Sequence, residues 1–173
     1  MIAGAHAVLW TGRAHAGTDA CRFIATGNGL LIEGSASLAA DTVRYRVRAD
    51  AEGRTVRARV GLAPSLRIER DPEGRWTLNG ARVPEVDGAE DVDLGFTPAT
   101  NTLPIRRLRL EVGQSADVTA AWLDDRDWTL KSLRQTYHRT GETAWHYTAG
   151  EFEADLEVNR FGVVERYGSL WTI

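Results

Sequence analysis

Alternation of apolar and charged residues constrains the fold of this chain more than any other feature of its sequence. The alternation is clearest in residues 43–48, 56–60, 66–69 and 151–158. Successive side chains on a β-strand point to opposite faces, so each of these segments predicts a strand with one apolar and one charged face. Strands of this kind are typical of antiparallel sheets with one side in water.

Turn signals separate the predicted strands at intervals of roughly 8–12 residues. They fall at residues 49–53, 71–74, 79–80, 87–88 and 159–162. Residues 127–139 are the best candidate for a short helix, but their threonines and tyrosine suit a strand equally well, and we favour a strand. The spacing predicts a meander, which means an all-β barrel, roll or sandwich.

Two parts of the chain repeat one arrangement. Residues 45–76 and 147–171 each begin with a tyrosine, continue through an alternating strand and a glycine-containing turn, and end at a tryptophan. This arrangement predicts two related β-units in tandem. At 173 residues, the chain is most simply one domain that spans residues 1–173.

Charge and composition exclude several classes of function. The net charge of −3 argues against nucleic acid as a partner. The single cysteine and the spacing of the four histidines predict no disulfide, no metal site and no cofactor. No segment is apolar and long enough to cross a bilayer. The first 13 residues do not resemble a signal peptide, so we expect a cytoplasmic protein.

Residues 91–108 concentrate polar chemistry that the alternating strands lack. They hold two carboxylates, three threonines, an asparagine, two prolines and an arginine pair. Within residues 103–112, the apolar residues occupy odd positions up to Ile105 and even positions from Leu108 onward. This change predicts either a β-bulge at Arg106 and Arg107 or a strand that crosses between sheet faces. In both cases one of the two arginines is expected to point inward, where it needs a carboxylate partner.

Asp91 and Asp93 are the nearest carboxylates and share one face of a short predicted strand. We expect an adjacent arginine to keep both ionised, which disfavours a general acid. Three interpretations stay open: a buried polar staple, the polar end of an apolar pocket, and a catalytic site. The residues assigned to the candidate binding site are Asp91, Asp93, Thr97, Thr100, Asn101, Arg106, Arg107, Trp76 and Trp145.

Tryptophans give the site its two aromatic candidates. Trp76 and Trp145 lie on or near predicted strands, where large flat side chains fill a wide core. The same side chains could stack against a sugar ring or form a wall for an acyl chain. The sequence does not decide which tryptophan lies beside the polar motif.

The motif in residues 100–108, Thr-Asn-Thr-Leu-Pro-Ile-Arg-Arg-Leu, resembles that of a bacterial family described as putative glycolipid-binding. The resemblance extends from about Trp10 to Trp171. It implies a many-stranded antiparallel rolled sheet, a spiral β-roll or half-barrel, with two related halves around an apolar core or cavity. That architecture is similar to the folds of bacterial lipoprotein carriers. No catalytic residue follows from the resemblance.

The charged strand faces carry one further prediction. Arginines dominate residues 44–59, and acidic residues dominate residues 151–157. Like charges on adjacent strands repel, so we expect these two stripes to lie close together on the outer face. The alternative is that water solvates each stripe separately.

A non-enzymatic binding protein is the function that these observations favour. The expected partner is an amphiphilic or glycolipid-like small molecule held in an apolar cavity, with the polar motif at one end. The alternatives are a hydrolase that acts on a glycan or lipid ester through Asp91 and Asp93, and a structural or interaction domain without a ligand. The oligomeric state stays open.

Overall fold

A computed structural model describes residues 4–12, 16–38 and 41–173, which form a single sheet of 15 strands. The strands are β1 (Ala5–Gly12), β2 (Ala16–Thr26), β3 (Gly29–Leu38), β4 (Asp41–Ala49), β5 (Thr55–Gly61), β6 (Leu66–Arg70), β7 (Trp76–Leu78), β8 (Ala81–Arg82), β9 (Asp91–Leu94), β10 (Ser115–Asp124), β11 (Thr129–Arg139), β12 (Ala144–Ala149), β13 (Phe152–Val158), β14 (Val164–Tyr167) and β15 (Trp171–Thr172). The helical elements are two 3₁₀ helices, Pro84–Val86 and Pro98–Asn101, and one α-helix, α1 (Thr102–Leu108).

Two meanders meet at the middle of the sheet. Strands β1 to β8 run in chain order toward one edge, strands β10 to β15 run back from the other, and β1 pairs with β15. Strand β9 forms the second edge and pairs parallel with β10, while the other pairs are antiparallel. The sheet is not closed into a barrel. The predicted all-β fold with a mostly antiparallel rolled sheet is confirmed, and so is the strand over residues 129–139.

The alternation of the sequence becomes the alternation of the two sheet faces. In β4, Val43, Tyr45 and Val47 are buried while the arginines between them are exposed. The inner faces form two apolar clusters, one centred on strands β1 to β7 and a smaller one on β11 to β14. The first is filled by large side chains, among them Trp10, Phe23 and Trp76.

The sheet curls so that its β9 edge meets β5. The backbone amide of Val92 donates to the Thr55 hydroxyl over 3.0 Å, and the Thr55 amide donates to the Glu90 carbonyl over 2.9 Å. These bonds occupy backbone groups that an edge strand otherwise leaves open. The segment that follows β9 therefore lies on the concave side of the sheet.

Residues 98–108 are helical, so the predicted bulged or crossing strand is wrong. The Thr97 hydroxyl accepts a hydrogen bond from the Ala99 amide over 3.1 Å, and Pro98 follows as the first helical residue. Both features favour a helix start. Pro104 lies in the first turn of α1, where its missing N–H costs little. The shift of the apolar residues from odd to even positions thus reflects a helical turn and not a strand.

The predicted contact between basic and acidic stripes is also wrong. Strand β4 pairs with β3 and β5, whereas the acidic strand β13 pairs with β12 and β14. Five strands separate β4 from β13 in the sheet order. The arginines of β4 and β5 face one another instead.

None of the helices formed by the described residues has the length and apolar character needed to span a bilayer.

Candidate functional site

A hollow of about 320 Å³ opens on the concave side, between the segment after β9 and the strands of the second meander. Its floor is polar and its walls are largely aromatic. The lining residues used below are Asp93, Thr97, Asn101, Trp122, Tyr147, Phe152, Tyr167, Leu170 and Trp171. A concave site with apolar walls and a few convergent polar groups is the usual form of a small-molecule site.

Asp93 is the charged group of the floor. Its Oδ2 accepts a hydrogen bond from Gln135 Nε2 over 2.6 Å, and its Oδ1 lies 3.5 Å from the Thr100 hydroxyl. The Thr100 hydroxyl also accepts from the Leu94 amide. One carboxylate oxygen of Asp93 is therefore firmly bound, and the other is only weakly engaged.

Burial raises the pKa of Asp93 to about 6, because the hydrogen bonds from Gln135 and Thr100 compensate only in part. The negative charge of Asp91 raises it further. No arginine or lysine among the described residues forms an ion pair with Asp93. The expectation that an adjacent arginine keeps both carboxylates ionised is thus wrong for Asp93.

A chain of side chains holds the floor in place. The Tyr137 hydroxyl donates to Asn101 Oδ1 over 2.7 Å, and Asn101 Nδ2 donates to the Pro98 carbonyl over 3.2 Å. Tyr137 also lies 3.5 Å from Gln135 Oε1. This chain links β11 to the 3₁₀ helix, so Asp93 and Asn101 keep a fixed relative position.

Tyr147 of β12, Phe152 of β13 and Tyr167 of β14 form one wall, and Tyr137 of β11 packs against Tyr147. The Tyr147 ring lies 5.1 Å from that of Tyr137 and 5.8 Å from that of Tyr167, measured between centroids. Phe152 stacks on Tyr167 with the ring planes 11° apart and the centroids 6.0 Å apart. Aromatic pairs favour such separations. The wall is therefore a preformed surface of packed rings.

Trp122 also lines the hollow, and its position depends on a glycine. A side chain at Gly95 would place its Cβ 2.6 Å from Trp122 Nε1, closer than such atoms approach. Only glycine lets the indole lie against the turn after β9. The cations of Arg126 and Lys131 lie 5.7 and 5.8 Å from the Trp122 ring and hold it in place.

Asp91 takes a different role from Asp93. Arg107 of α1 forms ion pairs with Asp91 and with Glu90, the second at 2.5 Å. The Arg107 and Asp91 side chains are 13% and 4% exposed, so the pair is nearly sealed. Burial raises the pKa of Asp91, and the hydrogen bond from Arg107 opposes that rise. This is the geometry of the predicted polar staple, and Arg107 is the inward arginine.

A second buried carboxylate lies behind the floor. Asp19 is fully buried, and its Oδ2 accepts hydrogen bonds from the Tyr45 hydroxyl at 2.7 Å and from the Thr97 hydroxyl at 2.5 Å. Tyr45 reaches it across β3 only because residue 34 is glycine, since a Cβ there would overlap the ring. Burial raises the pKa of Asp19. Thr97 thus joins the hollow to this inner group.

The remaining predicted site residues lie elsewhere. Arg106 and Trp145 border a second hollow, where Arg106 donates to the Phe161 carbonyl over 2.7 Å. Trp76 is fully buried in the first cluster and donates to the Ala89 carbonyl over 3.1 Å. The Trp76 ring fills the core and does not line the hollow. Of the nine predicted residues, the structure places Asp93, Thr97 and Asn101 on the hollow.

Sequence reasoning missed Asp19 and Gln135, although a signal for both was present. Gln135 lies on the same face of β11 as Leu133 and Tyr137, and Asp19 lies on the same face of β2 as Cys21. A polar residue on the apolar parity of an alternating strand points inward and needs a partner. The described residues contain no group of three or more His, Cys, Asp or Glu side chains that could hold a metal ion.

Comparison with known proteins gives two matches. A family model described as putative glycolipid-binding matches residues 7–172. A solved structure described as a DUF1089 family protein from Pseudomonas aeruginosa is 26% identical, with a TM-score of 0.69 over 100% of this chain and 94% of that one. Among curated proteins, none matches the chain.

Proposed function

The chain belongs to the putative glycolipid-binding family, and from that premise we propose that it binds a glycolipid-like amphiphile. The sugar-type head group occupies the aromatic hollow and contacts Asp93. Binding is non-enzymatic and needs no cofactor. The observation that carries the proposal is a carboxylate with a weakly engaged oxygen at the floor of a hollow walled by aromatic rings.

The chemistry of the hollow suits a sugar ring. A sugar presents hydroxyl groups at its edge and C–H groups on its faces. An ionised carboxylate accepts hydrogen bonds from hydroxyl groups, and bonds to a charged acceptor are the stronger kind. The rings of Tyr147, Tyr167 and Trp122 offer flat apolar surfaces to the C–H faces.

The size of the hollow supports a head group rather than a whole lipid. Its volume of about 320 Å³ lies at the lower end of the usual range for ligand sites. Phe152 and Leu170 line the hollow and are 41% and 36% exposed. They give an acyl chain an apolar path out of the hollow.

The hydrolase alternative is less well supported. A pair of carboxylates on the two sides of a bond is the usual requirement of glycoside hydrolysis. Of the described residues that line the hollow, only Asp93 carries a carboxylate, because Asp91 faces Arg107. The cytoplasmic location stays a prediction.

The six tryptophans allow a direct test by NMR, because each indole N–H gives its own signal. The probes are octyl β-D-glucoside and, as a control without a sugar, an octyl ether of tetraethylene glycol. Trp122 and Trp171 line the hollow, whereas Trp10 and Trp76 are sealed in the core. The expected result is a saturable shift of the Trp122 and Trp171 signals with the glucoside, and a weaker one with the ether.

Two outcomes would contradict the proposal. Shifts centred on Trp145 would assign binding to the second hollow, and the absence of shifts would favour a ligand-free structural domain. The matched variants are Ala149→Trp, which fills the hollow, and Ala144→Trp, which adds the same ring at an exposed position of the same strand. Only the first is expected to abolish binding.

A further inference from the structure

Four arginines form a two-by-two block on the outer face of the first meander, away from the aromatic hollow. Antiparallel pairing sets Arg46 directly opposite Arg59 and Arg48 directly opposite Arg57. All four are exposed. Neighbouring side chains in such a block start about 5 Å apart across the strands and about 7 Å apart along them.

Few carboxylates neutralise this arginine block. Glu33 on β3 pairs with Arg22 and Arg46 at one border. Glu69 on β6 lies opposite Arg57 but forms its ion pair with Arg67, at 3.4 Å. In the part of the chain that the structure describes, Arg48, Arg57 and Arg59 form no ion pair. Arg59 instead lies opposite another arginine, Arg67.

Such an arrangement is unfavourable without an anion. Like charges directly opposite each other on paired strands destabilise a sheet. The block also surrounds a hollow of about 360 Å³, whose other lining residues are Thr26 and Leu31. A concave surface with four convergent cations and one threonine hydroxyl has the composition of an anion site rather than of a solvated face.

We propose that the arginine block binds a phosphate group. Guanidinium groups form paired hydrogen bonds with phosphate oxygens, and several of them around one hollow match a group with two or more negative charges. The phosphate could belong to a lipid head group at a membrane surface or to a soluble phosphorylated molecule. This site is independent of the aromatic hollow, because the two lie on opposite faces of the sheet and share no residue.

The test compares two double variants of the full chain. Arg48→Gln with Arg57→Gln removes two charges from the block. Arg134→Gln with Arg166→Gln removes two exposed arginines elsewhere, each of which already has an acidic partner. The net charge changes equally in both. Relief of repulsion predicts that the block variant is at least as stable to heat as the wild type, so it remains folded for the measurement.

The probes are inorganic pyrophosphate and vesicles of phosphatidylcholine with or without phosphatidylglycerol. For vesicles that contain phosphatidylglycerol, the block variant is expected to bind roughly thirtyfold more weakly than the wild type. For pyrophosphate, the expected loss is about tenfold. The control variant should lose little in either case.

The pattern of binding identifies the source of the phosphate. Wild-type binding to the charged vesicles alone supports a lipid head group, whereas binding to pyrophosphate supports a soluble ligand. Equal losses in the two double variants would overturn the proposal, because they would indicate general charge attraction. No binding to either probe would overturn it too.

Discussion

Asp91 and Asp93 lie on the same face of one short strand, two residues apart, and yet they occupy opposite kinds of environment. The region around Asp91 is sealed, and Arg107 compensates its charge. The region around Asp93 opens into the hollow and offers only neutral partners, Gln135 and Thr100. The elements that pack against each carboxylate, rather than the spacing between the two, decide which is structural and which is available to a ligand.

The helical segment after β9 creates this difference. It brings Arg107 back over Asp91 at its far end and places Thr100 and Asn101 beside Asp93 at its near end. A strand in the same place would have extended away from both carboxylates. One helical segment, residues 98–108, therefore closes one region and shapes the floor of the other.

Loss of Arg107 should have the largest effect on the sealed region. Arg107→Ala leaves Asp91 buried without its cation, and such a change costs roughly 3–5 kcal/mol of unfolding free energy. Urea denaturation measures the loss. Adding Asp91→Ala should restore part of the stability, because the unpaired charge is then gone. If Arg107→Ala unfolds at the same urea concentration as the wild type, Asp91 does not depend on this pair.

Loss of the Asp93 charge, in the open region, should have the opposite effect on stability and should raise the free energy of unfolding. The pKa of Asp93 in the folded protein, about 6, lies above the ordinary value of 3.8, so the folded state holds a proton that the unfolded chain has lost. Stability therefore falls as the pH rises from about 4 to about 6. Above this window, Asp93→Asn should be more stable than the wild type, by up to about 3 kcal/mol.

Melting temperatures of the wild type and Asp93→Asn at several pH values test this point. The difference between the two should be smallest near pH 4 and should reach its full size above about pH 6. Asp117→Asn, the same substitution at an exposed carboxylate on β10, is the matched control. A constant difference across the range would mean that Asp93 is ionised throughout, as an ordinary carboxylate is.

A third carboxylate, Asp19, combines features of the other two. Its side chain is buried, as that of Asp91 is, but among the described residues it has no cationic partner, which is also true of Asp93. Thr97→Val removes one of its two side-chain donors and also the cap of the 3₁₀ helix. The expected cost is about 2 kcal/mol, measured by urea denaturation. Thr97→Ser keeps the hydroxyl and should cost less. Equal losses in both variants would contradict this, because the hydroxyl would then contribute no more to stability than the methyl group that serine lacks.

Much of the fold could be predicted from the sequence, because period-two alternation is a local signal. The strands over residues 43–48 and 151–158 follow directly from it. The pairing order could not be predicted, since it depends on contacts between distant strands. The basic stripe on β4 thus faces another row of arginines and not the acidic stripe on β13.

The site was predictable only in part for a related reason. Residues 91–107 stood out by composition, and the pairing of one of the two arginines with a carboxylate followed from the cost of a buried charge, although the sequence did not show that it is Arg107. The helix over 102–108 was missed because a parity change suits both a bulge and a helical turn. The aromatic wall comes from Tyr147, Phe152 and Tyr167 on the consecutive strands β12, β13 and β14, and it depends on the pairing register of those strands, which the sequence does not show.

NMR titration of the Asp91 and Asp93 side-chain carboxyl carbons, with and without octyl β-D-glucoside, tests the central claim most directly. The account predicts that Asp93 titrates near pH 6 in the free protein, and that the glucoside lowers this value because its hydroxyl groups donate to the ionised form. The Asp91 titration should not change. The account would be contradicted if Asp93 titrated near pH 3.8. It would also be contradicted if the glucoside changed the titration of Asp91 and not that of Asp93.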